Sequence, residues 1–451
     1  MTVVVKCRDS LLTTSSGFTN YRGILNLVII LLVLSNARVA LENIIKYGIL
    51  VDPFSWFSFL NEGSKHWPAL MILLSLGVHI LISLLIEKLV AHLFQTSRLA
   101  IAKGHSELEA QANLSTCLLV ANAAIFTNLF ACISLPPIII YTHVTHPIPT
   151  SGALILVSIV LLKLVSYHMI NFWCRDLQRD EKLQSKTTKP NKSYLMSSAQ
   201  TIYPKNVTFK DLCSFMVFPT LCYELDFERT ERIRKRFLIK RIVELIILSQ
   251  LNMALIQQWI VPTVSNSVLP FRQMQVSYML ERLLKLAIPN HIIWIIWFYS
   301  FFHSLLNIIA ELTRFADREF YRDWWNSESV YYFWSNWNIP VHKWCARHLY
   351  IPLIALGFNK CQASTAVFFV SAFFHEYLVS VPLKMFRMWA FTGMLIQLPW
   401  ARFVSSYFNN QFANVAVWVS LIIGQPLCIL MYYHDYYVIN NAKSAATIKL
   451  A

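Results

Sequence analysis

Phe320-Tyr321-Arg322-Asp323-Trp324-Trp325-Asn326 opens, and Phe373-Phe374-His375-Glu376-Tyr377 closes, a stretch from Phe320 to Leu378 that differs from the apolar runs around it. Its first end is polar and aromatic, and its second sets a His-Glu pair inside an apolar helix candidate. Between them lies Trp337-Asn338-Ile339-Pro340-Val341-His342-Lys343-Trp344, with too many polar rings and amides for a membrane span. The remaining chain reads as what carries, shields and feeds this stretch.

Composition sets the class. A soluble domain carries about 25% charged residues, whereas this chain of 451 has 14%, with 56% hydrophobic residues and a mean hydropathy of +0.48. It reads as an all-α, polytopic integral membrane protein. With only 10 glycines, bulky Leu, Ile and aromatic packing replaces small-residue seams of the GxxxG type. The net charge of +15 sits in loops beside apolar spans, as orientation by the positive-inside rule requires, so nucleic acid is excluded as a partner. Nine cysteines without a C-x-x-C pair read as buried thiols and not as a disulfide framework. No charged n-region leads into a short apolar run and cleavage site, so no cleaved signal peptide is expected.

Residues 1–20 form a short polar tail on the cytosolic side, and Phe18 and Tyr21 read as interfacial anchors. Residues 21–440 read as one transmembrane domain, and 441–451 as a C-terminal tail. Nine apolar runs approach the roughly 20 residues needed to cross a bilayer: Ile24 to Ala40, Trp67 to Val90, Leu114 to Ile140, Leu154 to Trp173, Ile242 to Pro262, Leu283 to Leu312, Ala363 to Leu383, Met388 to Val404 and Val415 to Tyr433. Pro289 is expected to kink or restart the sixth. Segment 174–241 carries about fifteen Lys and Arg against about eight Asp and Glu and is therefore cytosolic. Its basic surface, including Arg232 and Arg234, marks topology or steers an anionic cosubstrate. Segment 317–360 reads as cytosolic or re-entrant. Three N-x-S/T patterns, at Asn113, Asn191 and Asn206, are discounted as glycosylation sites.

An ionisable pair at depth is costly, and by default it marks a functional site. Counted from Ala363, His375 lies about 18 Å into its span. Ser371, one turn earlier, shares its face, while Glu376 projects about 100° away and reads more as a brace. A desolvated, neutral imidazole is the form that takes a proton from an alcohol. His-Glu-Tyr-Leu-Val is not H-E-x-x-H, which disfavours a zinc hydrolase, and no G-x-S-x-G elbow supplies a serine nucleophile. Direct acyl transfer with histidine as general base remains. Asn338 offers an amide donor to a carbonyl oxygen gaining charge, or it is simply a turn residue before Ile339-Pro340. Gln397 and Gln425, in the last two apolar runs, line a path or bond between helices.

The aromatic stretch, the intramembrane His-Glu-Tyr, Asn20-Tyr21-Arg22-Gly23-Ile24-Leu25-Asn26 and Lys46-Tyr47-Gly48-Ile49-Leu50-Val51-Asp52-Pro53 together resemble the membrane-bound O-acyltransferase superfamily, in its neutral-lipid branch. Within that branch the wording is similar to the diacylglycerol-acylating enzymes more than to the sterol-acylating ones, from about Phe18 to Tyr437. The resemblance implies about nine transmembrane helices around a buried reaction chamber, open to the cytosol and sideways to the bilayer. It implies fatty acyl-CoA as cosubstrate, diacylglycerol as acceptor, triacylglycerol as product, and no metal or other cofactor. His375 would be the base, with Asn338 and Glu376 counted in the catalytic group. Phe320, Tyr321, Arg322, Asp323, Trp324, Trp325 and Asn326 would belong to the acyl-CoA site, with Trp337, His342, Ser371, Gln397 and Gln425 as further substrate contacts. It also implies a homodimer or homotetramer in the endoplasmic reticulum membrane, joined through the N-terminal segment, with membrane lipids as surroundings. A sterol or other long-chain alcohol acyltransferase is the alternative acceptor class. A non-catalytic lipid transporter or scaffold would be equally helical and basic, with no reason to bury His-Glu beside Ser371.

Overall fold

In the computed structural model, residues 22–54, 67–103, 107–183, 201–267, 273, 275–408 and 410–450 are described. The tail at 1–20 and the middle of the basic segment lie outside them. The helices, in chain order, are α1 (Arg22–Tyr47), α2 (Trp67–Ala102), α3 (Glu107–Thr142), α4 (Pro147–Leu183), α5 (Phe209–Val217) and α6 (Lys235–Leu255), the last continued by a π turn (Ile256–Ile260) and Val261–Ser265. Then come α7 (Val276–Phe298), continued by a π turn (Tyr299–Leu305) and Leu306–Thr313, α8 (Val330–Asn336), and α9 (Ile339–Cys345), continued by a π turn (Ala346–Tyr350) and Ile351–Ala355. The chain ends with α10 (Lys360–Ser380), α11 (Trp389–Leu395), α12 (Gln397–Tyr407) and α13 (Asn410–Leu450). Helix α13 thus runs on through the segment expected as a tail. Among the described residues there is no strand, only an isolated bridge between Arg229 and Phe315.

Six helices among the described residues are long and apolar enough to cross a membrane: Trp67–Ile101, Leu114–Thr142, Pro147–Gln178, Val276–Thr313, Lys360–Ser380 and Phe412–Ile439. The other three expected spans are also helical: Ile24 to Ala40 lies within α1, and Ile242 to Pro262 runs through α6, its π turn and the start of Val261–Ser265. The run from Met388 is split at Ile396 into α11 and α12. Pro289 does not restart its helix: α7 passes through it, with the proline buried. The irregularity falls later, in the π turn at Tyr299–Leu305.

Helices α2, α3 and α4 pack together around Ile72, Leu76, Ile139, Ile140, Leu154 and Val157, and Tyr377 and Val381 of α10 join the same core. The Lys384 Nζ donates to the His143 carbonyl at the α3–α4 turn. The C-terminal end of α10 therefore lies opposite the basic segment that follows α4, and its N-terminal end, at Lys360, lies on the same side as that segment. The described part of that segment is folded onto the bundle: Tyr203, Leu212, Phe215 and Tyr223 are buried with Leu84, Phe94, Tyr167 and Ile170. Arg234, read from sequence as a topology signal or a steering charge, donates to Glu311 at 2.9 Å, and Arg318 meets the same carboxylate at 2.5 Å. Asn206 is buried with its amide bonded to Asn171 and Tyr223.

Candidate active site

Helix α10, which carries His375, starts at a capping box in which the Asn359 side chain accepts from the Gln362 N–H and the Gln362 side chain accepts from the Asn359 N–H. This fixes where the helix begins, three residues before the sequence-based start. His375 is consequently 15 residues from Lys360, about 22 Å along the axis, and nearer the far end than expected. Its Nδ1 lies 2.7 Å from the carbonyl oxygen of Ser371. A carbonyl only accepts, so Nδ1 carries the ring proton and, in the neutral ring, Nε2 presents a lone pair. The residue is exposed, while α4, the π turn after α9 and α11 pack on the helix that carries it.

Glu376 points elsewhere, as its 100° offset requires. It is 2% exposed, and its carboxylate accepts from the backbone N–H of Met388 at 2.9 Å and of Phe391 at 3.1 Å, and from the Tyr432 hydroxyl at 2.7 Å. The Ser380 hydroxyl also donates to it. The group counted as catalytic thus caps α11 and binds α13 to α10. The four donors share its charge, the condition under which a buried carboxylate is tolerated.

Asn338 is held by the aromatic stretch. The Arg322 N–H donates to the Asn336 carbonyl at 2.8 Å, and the Ile339 N–H to the Phe320 carbonyl at 3.0 Å, so backbone bonds grip the chain on both sides of Asn338. Its Oδ1 accepts from the Val341 N–H at 3.2 Å, capping α9. The turn reading is therefore correct for the oxygen. The amide nitrogen has no hydrogen-bond partner among the described residues and remains a free donor. His342 follows on the same face, at i+4. Burial, then the Arg322 charge, holds its imidazole below the usual histidine range.

The aromatic stretch itself divides. Phe320 and Trp324 are core, packed with Phe298, Phe302, Phe333 and Val417, and Tyr321 bonds through its hydroxyl to His303 Nδ1 at 2.8 Å. Arg322, Asp323, Trp325 and Asn326 face outward. Arg322 pairs with Glu319 at 2.8 Å, and Asp323 accepts from the Tyr332 hydroxyl at 2.7 Å. Half-buried Trp337 packs edge-on to Trp334, whose ring meets Phe368 of α10 edge-on at 6.2 Å. Phe368, Ser371 and His375 stand at i, i+3 and i+7, one face of the helix. The tryptophan contact thereby sets α8, which precedes Asn338 in the chain, against the face of α10 that carries His375. Ser371 contributes its carbonyl. Gln425 takes the helix-to-helix reading, accepting from Asn290 at 3.4 Å, and Gln397 is half-buried at the start of α12.

Several polar residues inside apolar runs were passed over in sequence, although the cost of burying them was a signal. Lys163, 3% exposed in α4, donates to the carbonyls of Phe215, Met216 and Phe218 at 2.7–2.9 Å. Ser166 hydrogen-bonds His348 Nε2 at 2.7 Å and accepts from the Tyr223 N–H at 2.7 Å. Together they dock the cytosolic segment and the α9 region onto α4.

Residues 113–434 match the MBOAT, membrane-bound O-acyltransferase family, and both His375 and Asn338 lie within that range. The chain belongs to the membrane-bound O-acyltransferase family. Among relatives of this acyltransferase chain, diacylglycerol O-acyltransferase 1 of Homo sapiens is 50% identical over 443 residues, covering 98% of this chain and 86% of the relative. The Bos taurus protein of the same name is 48% identical, with 98% and 86% covered. That of Corylus americana is 37% identical, with 95% and 75% covered.

Proposed function

We propose that this protein transfers a fatty acyl group from acyl-CoA to the free hydroxyl of diacylglycerol, giving triacylglycerol and free coenzyme A. The observation that carries the mechanism is the Nδ1 bond from His375 to the Ser371 carbonyl, which leaves the Nε2 lone pair free to act as a base. Relatives bearing the diacylglycerol O-acyltransferase 1 name, matched over nearly the whole chain, support the acceptor. Nε2 removes the hydroxyl proton as the oxygen attacks the thioester carbonyl. The Asn338 amide donates to the oxygen that gains charge. The C–S bond then breaks, coenzyme A leaves as thiolate, and the imidazolium returns the proton to sulfur. No covalent acyl-protein and no metal take part.

Acyl-CoA approaches from the cytosolic end of α10. A cavity of about 420 Å³ there is lined by Lys360 and Arg402, with Tyr331, Ser364 and Thr365, two cations suited to the phosphates of the cosubstrate. Diacylglycerol arrives from the bilayer, and the enzyme resides in the endoplasmic reticulum membrane as a dimer or tetramer. Support for assembly through the N-terminal region is the exposed apolar surface of α1, where Leu31, Leu34 and Ile45 are all open.

The test is thiol release by purified protein supplied with labelled acyl-CoA and either diacylglycerol or cholesterol. His375→Ala should abolish triacylglycerol formation while melting temperature and oligomer size stay unchanged. Substantial residual activity, or an acyl-protein adduct trapped during turnover, overturns the mechanism; transfer only to cholesterol overturns the acceptor.

A further inference from the structure

Where α2 leaves its apolar run on the cytosolic side, Lys88, His92 and Gln95 face Lys205 across a cavity of about 290 Å³ floored by Ala91 and Val207. No acidic side chain lines it among the described residues. The one carboxylate nearby in sequence, Glu87, is fully buried and turned inward, accepting from His168 at 2.8 Å and Arg175 at 2.6 Å. Both walls are fixed to the bundle. Arg175 reaches on to the Tyr203 hydroxyl at 3.3 Å, Gln178 donates to the Tyr203 carbonyl at 2.8 Å, and the Tyr203 ring meets Phe94 of α2 edge-on at 6.4 Å. The groove is therefore formed before anything occupies it.

Below it runs an open apolar stripe. Leu81, Leu85 and Leu89, at i, i+4 and i+8 on α2, are 48%, 64% and 57% exposed, and Lys88 and His92 continue the same face. Acyl chains lying on this stripe would place a headgroup between Lys88 and Lys205. We infer that the groove binds the phosphate headgroup of an anionic phospholipid of the cytosolic leaflet. The lipid would then join α2 to the segment around Lys205, which docks on α4 and, through Tyr223, Ser166 and His348, reaches the region that carries Asn338. Its occupancy is thus a means of tuning the enzyme from outside the reaction chamber.

The experiment reads binding, so it is independent of the proposed reaction. Full-length protein is held in phosphatidylcholine nanodiscs doped with headgroup-labelled phosphatidic acid, and retention of label is followed on dilution with unlabelled phosphatidylcholine. Each juxtamembrane lysine contributes about fivefold to anionic-lipid affinity. Lys88→Gln with Lys205→Gln should weaken retention by roughly the product of two such factors, and Lys88→Arg with Lys205→Arg should keep it, at unchanged melting temperature. Equal weakening in a charge-matched control, Lys235→Gln with Arg236→Gln, reduces the effect to surface charge and overturns the site. Displacement of label by inorganic phosphate at low concentration overturns the lipid assignment in favour of a soluble anion.

Discussion

At the scale of single residues, the site rests on two side chains whose other polar atom is already engaged. His375 gives Nδ1–H to Ser371 and keeps Nε2; Asn338 gives Oδ1 to the Val341 N–H and keeps its amide nitrogen. The second case separates structure from chemistry. Asn338→Ser retains a capping oxygen but has no amide donor, so it should fold with wild-type stability and lose about 10²–10³ in kcat, with little change in KM. Asn338→Ala should show the same kcat loss plus about 1 kcal/mol of lost stability from the missing cap. Steady-state kinetics beside thermal melts check this, and a serine variant with near-wild-type kcat would confine Asn338 to the cap. Adjacency in sequence says nothing of this kind about Glu376. It neighbours the base, yet its four donors make it the joint between α10, α11 and α13.

At the scale of elements, α4 is the post to which the cytosolic parts are tied. The three carbonyls around Lys163 Nζ are the last of α5 and its cap, groups that a helix end otherwise leaves unpaired. Lys163→Met fits the volume but orphans all three, with an expected cost of about 3–5 kcal/mol. Lower melting temperature together with new protease cutting between Thr201 and Arg234 would show α5 released, whereas an unchanged digest would mean the docking rests on the aromatic packing alone. His348 is the second tie, stacked on Trp173 at 5.6 Å. Burial first, then Arg347, pushes its imidazole down to about 3. A histidine depressed in the folded state binds its proton more readily when unfolded. Its contribution is therefore intact above the ordinary histidine range, near 6.5, and is lost as pH falls from there toward 3, by at most about 1.4 kcal/mol per pH unit. His348→Gln, which can still accept from Ser166, should flatten the fall in melting temperature between pH 6.5 and 5; an equally steep fall would assign the acid sensitivity elsewhere.

At the scale of the whole molecule, legibility followed the range of the interaction. His375 was readable because a titratable ring in an apolar run is costly wherever its neighbours lie, and its face followed from helix periodicity. The backbone bonds that join Phe320 and Arg322 to Ile339 and Asn336 were not, because no local pattern announces such a pairing. Lys163 was hidden inside a run long enough to be read as a span, and Pro289 misled because the helix continues through it to Phe298. What the assembled chain adds is direction. Lys384 against the α3–α4 turn puts Lys360 at the end of α10 on the side of the basic segment, and the cavity that Lys360, Ser364 and Thr365 line with Arg402 stands about 15–22 Å along the helix from His375. Arg402 Nη2 lies 2.7 Å from Cys361 Sγ, one residue along α10 from Lys360. If the two cations receive the phosphates of the cosubstrate, Lys360→Glu with Arg402→Glu should raise the KM for acyl-CoA about tenfold or more, leave the KM for diacylglycerol and the kcat at saturation near wild type, and do so most strongly at low salt, where screening is weakest. Initial rates over a salt series with each substrate varied separately decide it: a fall in kcat at unchanged acyl-CoA KM would place the phosphates elsewhere and leave this cavity outside the path to His375.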